Sequence, residues 1–463
     1  MAVLGFHLVI TLIALTVFSK LKSRLSFCHL LVLKGLYYFL PPSQEQLRSI
    51  VGKKYNEKKK RQRYNDNDIF NVPKDTPIQL TKFPLTPVDL NGIPFFDTLC
   101  FVFDYLIFAL IVFTLSEIFI YFFPTNRDTN VSIIWLFIAA AFMLQGLAKL
   151  TASNIGSPEL TAERNLIFCF CAISFLFCTV FTMSCDKYMD IQFTEGYKNF
   201  TQIIGNFMKE QKIYAISNYE NKSPILLYLF LSTMFSALAS MTLFPSLRYS
   251  TMYIRASLEA SKPMQLLLHI TFLLPVFILT LFMNPVRRHF VEGRYESITP
   301  SRFEAARIFL IVIWALLRLI TAKIHFQSFL DSPCRKLQQL QKETGYIKSN
   351  EVQKLVIQYA QYFCAAALQY FLPVFLTLVV SLILKNLGDI DFFGTFNPSA
   401  TTEIPKEMPA EIIDSNSLAS LRILLNFSAQ KAFWSYCLVN LLIINVALTA
   451  FGTIYSYNFV QEN

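Results

Sequence analysis

Nine stretches of this chain are apolar for long enough to cross a lipid bilayer, at about residues 2–19, 98–122, 131–150, 165–184, 224–245, 264–284, 304–321, 356–384 and 433–456. Lipid offers a bare backbone no hydrogen-bond partners, so an apolar segment of about 20 residues crosses it as a helix. The pattern predicts an all-α, polytopic integral membrane bundle of about nine transmembrane helices. Polar punctuation divides the chain into an N-terminal anchor (1–19), a basic juxtamembrane segment (20–95), the helical bundle (96–456) and a short tail (457–463).

Charge orients the pattern. The first stretch has no positive residue before it and is followed by Lys20, Lys22 and Arg24, the reverse of a cleaved signal peptide. The expectation is a retained anchor with its N-terminus outside or lumenal; cleavage, leaving eight spans, is the alternative. Residues 20–95 hold 14 Lys/Arg against 6 Asp/Glu, which places them in the cytoplasm by the positive-inside rule. Loops 149–164, 246–263 and 322–355 and the C-terminus then fall inside as well. One loop dissents: 285–302 carries Arg287, Arg288, Arg294 and Arg302 on the outside. The sequons at Asn199 and Asn221 lie in the loop 185–223 that this threading puts outside, and are the glycosylation candidates. Those at Asn130 and Asn426 sit too close to a span.

The formal net charge of +10 reads as membrane contact, not nucleic-acid binding, because so much of it lies in the juxtamembrane segment. Its basic run, KKYNEKKKRQR at 53–63, is expected to meet anionic lipid, at about 1 kcal/mol per residue; a partner's acidic surface is the alternative. The stretch 29–42, HLLVLKGLYYFLPP, reads as an amphipathic helix lying in the interface. The segment 329–348 reads as an amphipathic cytoplasmic helix packed under the bundle through Leu330, Leu337 and Leu340, with a partner or the membrane surface as the alternatives for these leucines. Asn350 is expected to cap the eighth span, with Gln353 completing the box.

Little of the remaining composition carries chemistry. The cysteines fall mostly within spans, and Cys169 and Cys171 diverge on a helix, so neither a disulfide framework nor a metal site is expected. No glycine-rich phosphate loop, nucleophile elbow or HExxH is present, so neither enzyme activity nor a cofactor is expected. No internal repeat is visible. Pro245, Pro275 and Pro373 do not recur in register, and 13 glycines are few for a rocking transporter.

The candidate site is a set of ionisable residues inside spans: Asp104 and Glu117 in the second, Arg307 and Arg318 in the seventh. A charge in lipid is costly unless paired or hydrated. By depth Asp104 matches Arg318 and Glu117 matches Arg307. The arginines share a helix face, being about 20° out of phase, whereas the carboxylates are about 140° apart. A buried salt bridge, an ion or proton pathway, and snorkelling to the interface are the three readings. His269 is expected to bond a backbone carbonyl, with pH sensing or proximity to a carboxylate as alternatives. Gln358, Gln361 and Gln369 read as interhelical glue or a polar lining, with Gln358 and Gln369 on one face.

Several of these segments together resemble the transmembrane protein 161 family of animal polytopic membrane proteins. They are MAVLGFHLV at the start, the pair Asp104 and Glu117, NVSIIW (130–135), FPSLR (244–248), LLHITFLLP (267–275), the pair Arg307 and Arg318, and ALQYFLP (367–373). The chain departs from the family in the loop around 386–430, and its Lys-rich run resembles the family only in character. The resemblance implies a non-enzymatic protein associated with cation currents, cardiac rhythm, neuronal excitability and oxidative-stress resistance, without a cofactor. The expected function is modulation of a channel partner in the plasma membrane or endoplasmic reticulum. The alternative is an ion or proton-coupled transporter or channel using the intramembrane charges.

Overall fold

A computed structural model gives the fold. It describes residues 6–21, 26–52, 71–73, 78, 80–122, 132–156, 161–210, 224–291, 299–342, 346–388, 390 and 427–460. The basic run 53–63 and the sequons at Asn130, Asn221 and Asn426 lie outside the described residues.

The helices are α1 (Phe6–Leu21), α2 (Gln44–Gly52), α3 (Pro87–Leu90), α4 (Phe96–Phe122), α5 (Ser132–Gly156), α6 (Thr161–Tyr188) and α7 (Phe193–Glu210). They continue with α8 (Ile225–Glu259), α9 (Lys262–Leu281), α10 (Asn284–Val291), α11 (Pro300–Leu330), α12 (Ser332–Lys342), α13 (Ser349–Leu387) and α14 (Phe427–Val460). Eight of them, α4, α5, α6, α8, α9, α11, α13 and α14, are long and apolar enough to cross a membrane. The protein is an all-α polytopic bundle. The first expected span is α1, described over 16 residues, which packs Phe18 edge-on against Tyr105 and Phe108 of α4.

Cross-links between helix ends show that the eight alternate in direction. Ser132 with Asn386, Tyr228 with Thr194, and Lys431 with Glu304 gather one set of ends beside α7. Arg255 with Ser332, Arg335 with Glu259, and Thr251 with Ser456 gather the other set beside α12.

The core is α13, about 58 Å long by the usual rise. Every residue from Phe363 to Lys385 is buried. A helix apolar all round suits either lipid or protein on every side, and here protein surrounds it. Phe103 of α4 meets Phe371 and Phe375, and Gly146 of α5 lies where an added Cβ would sit 3.1 Å from Leu372. By contrast α6 buries only Ile167, Ser174, Cys178, Thr182 and Cys185, and exposes Phe168, Ile173, Leu176, Phe177, Val180 and Met183.

Few glycines do not prevent close packing, because hydroxyls take their place. Ser232, Ser236 and Ser240 of α8 are buried, and spacings of four put them on one face. That face meets the equally spaced Ser174, Cys178 and Thr182 of α6. Ser236 Oγ donates to the Cys171 carbonyl at 2.6 Å, and the Ser174 and Ser236 hydroxyls lie 3.2 Å apart. Small polar residues at a membrane-helix interface allow close approach and bond across it. Glycine is still required at close approaches such as Gly452 of α14, where a Cβ would lie 2.6 Å from Ser250 Oγ and 3.2 Å from the Leu247 backbone.

At the α12 end the described part of 26–95 folds onto the bundle. The stretch 29–42 is not an amphipathic helix: it forms a π-helical turn, His29–Leu33, then strand β1 (Tyr37–Leu40), separated by Gly35 at φ 89°. β1 pairs antiparallel with β3 (Thr81–Pro84), placing Tyr37 opposite Pro84. The π-turn buries Val32 and Leu33 against the core, and pairing with β3 takes up the backbone that follows. A second ribbon pairs β2 (Asn71–Pro73) with β4 (Tyr346–Lys348). Because β4 runs to Lys348, Lys348 is the N-cap of α13 and Asn350 is already helical. Gln353 reaches outward to donate to the Pro42 carbonyl at 2.9 Å, instead of closing a capping box. Leu330 joins the main core, and Leu337 packs with Ile347, Val352 and the partly buried Leu340.

Candidate functional site: the buried charges of the bundle

All four charges singled out in the spans are buried: Asp104, Glu117, Arg307 and Arg318 are each between 3% and 6% exposed. Their partners are not the ones that depth suggested. Glu117 of α4 forms an ion pair with Lys385 in the last turn of α13, not with Arg307. A cation there also faces the negative end of the α13 dipole.

Arg307 of α11 binds Asp190, in the turn between α6 and α7, through Nη1 at 2.9 Å. Its Nε and Nη2 donate to the Leu281 carbonyl at 3.0 and 2.6 Å. That carbonyl ends α9 and has no helical partner of its own, so the guanidinium satisfies it. The rings of Phe282 and Phe303 hold the same guanidinium at 4.6 and 4.5 Å. Asp190 also accepts from Arg287 Nε at 3.1 Å, so this member of the dissenting basic loop is locally neutralised. Lys431 of α14 donates to both oxygens of Glu304 at 2.7 Å.

These groups surround a cavity of about 290 Å³ at the α7 end. Its ionisable lining is three acids, Asp190, Glu195 and Glu304, and three bases, Arg287, Arg307 and Lys431. The cavity is charge-balanced. Neither Asp104 nor Glu117 lines it.

Asp104 does not meet Arg318. It accepts from the Ser26 hydroxyl at 2.8 Å and the Cys28 N–H at 3.1 Å, and so fastens the chain that follows α1 onto α4. The 140° phase difference explains why the two carboxylates of α4 serve different neighbours. Arg318 lies between aromatic faces, 3.4 Å from the Tyr249 ring centre and 4.4 Å from that of Tyr370. Tyr370 donates its hydroxyl to the Arg318 carbonyl at 2.8 Å. Among the described residues, Arg318 Nε and Nη1, His325 Nε2 and Gln369 Oε1 have no hydrogen-bond partner. Ring quadrupoles attract a desolvated cation by about 2 kcal/mol, which offsets part of the cost of burying an arginine here without a carboxylate.

The polar candidates separate similarly. His269 meets the Tyr253 hydroxyl through Nδ1 at 2.6 Å, not a backbone carbonyl, and is near neither α4 carboxylate in its bonding. Gln369 is buried, with a 3.5 Å bond to Tyr362 on its own helix, whereas Gln358 and Gln361 are exposed. Gln358 and Gln369 therefore do not share an environment, because α13 becomes enclosed only from Phe363 onward. Asn199 lies on α7, and Thr201 of its sequon is buried with its hydroxyl on the Lys198 carbonyl at 2.9 Å.

A family model described as predicted transmembrane protein 161AB matches residues 2–460, nearly the whole chain. The chain belongs to the transmembrane protein 161 family. No solved structure matches it. The charge pairs above thus give this member of the transmembrane protein 161 family two residues that sequence reading missed, Asp190 and Lys385. Lys385 follows an unbroken apolar run and reads as an interface marker. Asp190 sits in a polar loop, and the one signal for it is the surplus of arginine in 285–302. Tyr249 and Tyr370 read as ordinary core aromatics.

Proposed function

We propose that this protein is a non-enzymatic membrane protein that modulates cation-channel currents by acting on a partner, without itself conducting. The observation that carries this reading is the closure of the charges: Glu117 on Lys385, and Asp190 on Arg307 and Arg287. A conduction path needs ionisable groups that water or ions can reach. Charges committed to a counter-ion instead fix helix register. The family resemblance supplies the link to membrane excitability and to oxidative-stress resistance. In this reading the α12 end faces the cytoplasm, because the basic juxtamembrane segment joins it, and the N-terminus lies outside. The compartment is the plasma membrane or the endoplasmic reticulum. The basic run 53–63 meets anionic lipid, and the partner is an ion channel.

One observation favours the carrier alternative: the cavity at the α7 end contains Arg307, an intramembrane charge. Proteoliposomes holding only the purified protein separate the two. A modulator gives no flux or current across a panel of cations and protons, and alters currents only when a channel is co-expressed. Ion-selective flux that folded Asp104→Asn and Arg318→Gln variants both lose would establish a carrier and overturn the modulator.

A further inference from the structure

A second cavity, of about 260 Å³, opens at the α12 end of the bundle. It lies between α8, which supplies Arg248, Thr251 and Arg255, and Ser328 of α11, Tyr359 of α13 and Tyr455 of α14. Its two ionisable cations face no carboxylate in the lining. Arg248 and Arg255 are seven residues apart, about two turns, so they project from the same face of α8.

Arg248 makes no hydrogen bond or ion pair among the described residues. Its guanidinium lies over the Tyr362 ring at 4.3 Å and the Phe329 ring at 5.7 Å, and its buried Nε is without a partner. Ser328 Oγ and the Nε of neighbouring Arg335 are likewise buried and unpartnered. Among the described residues Arg255 donates one bond, from Nη1 to Ser332 Oγ at 2.9 Å. Two acids act on these arginines: Glu259, which is committed to Arg335, and Glu163, which makes no ion pair with Arg248 among the described residues. Buried donors are normally satisfied, so this cluster is arranged for an acceptor that comes from outside. Stacked arginines leave their planar forks free for phosphate oxygens.

We propose that this cavity binds a phosphate group, with Arg248 and Arg255 as its ligands and Ser328 as a further donor. Beside it, Leu258 of α8 and Phe451 and Ile454 of α14 are exposed apolar residues suited to acyl chains. An anionic phospholipid headgroup is one source of the phosphate, and a soluble phosphate ester is the other. The site shares no residue with the basic run 53–63 and does not depend on the channel-modulating reading.

The test uses the purified full chain in detergent, with binding followed by native mass spectrometry and by thermal shift. The probes are phosphatidylinositol 4-phosphate, phosphatidylcholine, inositol 1,4-bisphosphate and inorganic phosphate. The expected result is saturable binding of an anionic phosphate ligand, weakened at least tenfold in Arg255→Gln and in Arg248→Gln, and partly kept in Arg248→Lys. Preference for the intact anionic lipid over the soluble esters assigns the lipid source, and equal competition by the soluble ester assigns the other. Arg255→Gln is partly exposed and supplies a folded variant even if Arg248→Gln does not. Wild-type-like affinity in folded Arg255→Gln, or no binding of any phosphate probe, overturns the proposal.

Discussion

The two ends of the bundle use the same kinds of charged residue to opposite effect. At the α7 end both the buried and the partly exposed cations meet a carboxylate: buried Lys385 meets Glu117, buried Arg307 and partly exposed Arg287 meet Asp190, and partly exposed Lys431 meets Glu304. At the α12 end Arg248 and Arg255 line a cavity without an acid, held by ring faces and a serine. Closure at one end makes charge a structural fastener. Openness at the other leaves it available for a ligand. The number of charges does not separate the two roles; the presence of a committed counter-ion does.

The sharpest way to break the comparison is to open a closed pair. Lys385→Met leaves Glu117 buried without its cation and is expected to destabilise the fold by about 3–5 kcal/mol. Glu117→Leu combined with Lys385→Met should restore most of that loss, as read by thermal melting of detergent-solubilised protein. If the double variant melts no higher than the single one, the pair is not the source of the cost. Asp190→Asn is milder, because Arg307 keeps its bonds to Leu281. About 2 kcal/mol is expected, with faster exchange of the amides in the α6–α7 turn as the measurable sign.

At the open end, Arg255→Gln removes one bond to a hydroxyl and should cost only about 0.5–1 kcal/mol. A loss as large as that of Lys385→Met would show that this end is also structural. The smallest effect concerns Asp89, outside the spans, whose carboxyl is held below its ordinary value of 3.8 by the Thr86 hydroxyl and N–H. A depressed carboxyl lends stability above its unfolded value and loses it as pH falls through the folded one. The protection factor of the Thr86 amide should therefore hold through the ordinary carboxylate range and fall only at lower pH, as the depressed carboxyl protonates.

The membrane spans were legible because length and hydropathy are local properties of the chain. So was the burial of Asp104, Glu117, Arg307 and Arg318, since a charge within an apolar run has few alternatives. Their partners were not legible. Helix phase gives the face of a residue but not the neighbour across from it. Asp190 and Lys385 sit at the edge of their apolar windows, where a charge attracts no attention. The difference between α13 and α6 was hidden for another reason. A protein interior and a lipid bilayer are equally apolar, so an enclosed helix and a lipid-facing one have the same composition. Gln358 and Gln369 show it within one helix: the same residue type is exposed near the start of α13 and buried further on.

The enclosure of α13 also bears on how the protein is made. Its neighbours α4, α5, α8 and α11 all leave the ribosome before it, since synthesis runs from N- to C-terminus. Until residues 363–385 are inserted, surfaces such as Phe103, Gly146 and Tyr249 have no central helix to close on. The first three-quarters of the chain therefore waits in the bilayer as a partial shell, with lipid filling the slot, and the bundle becomes one body only when its second-to-last helix arrives.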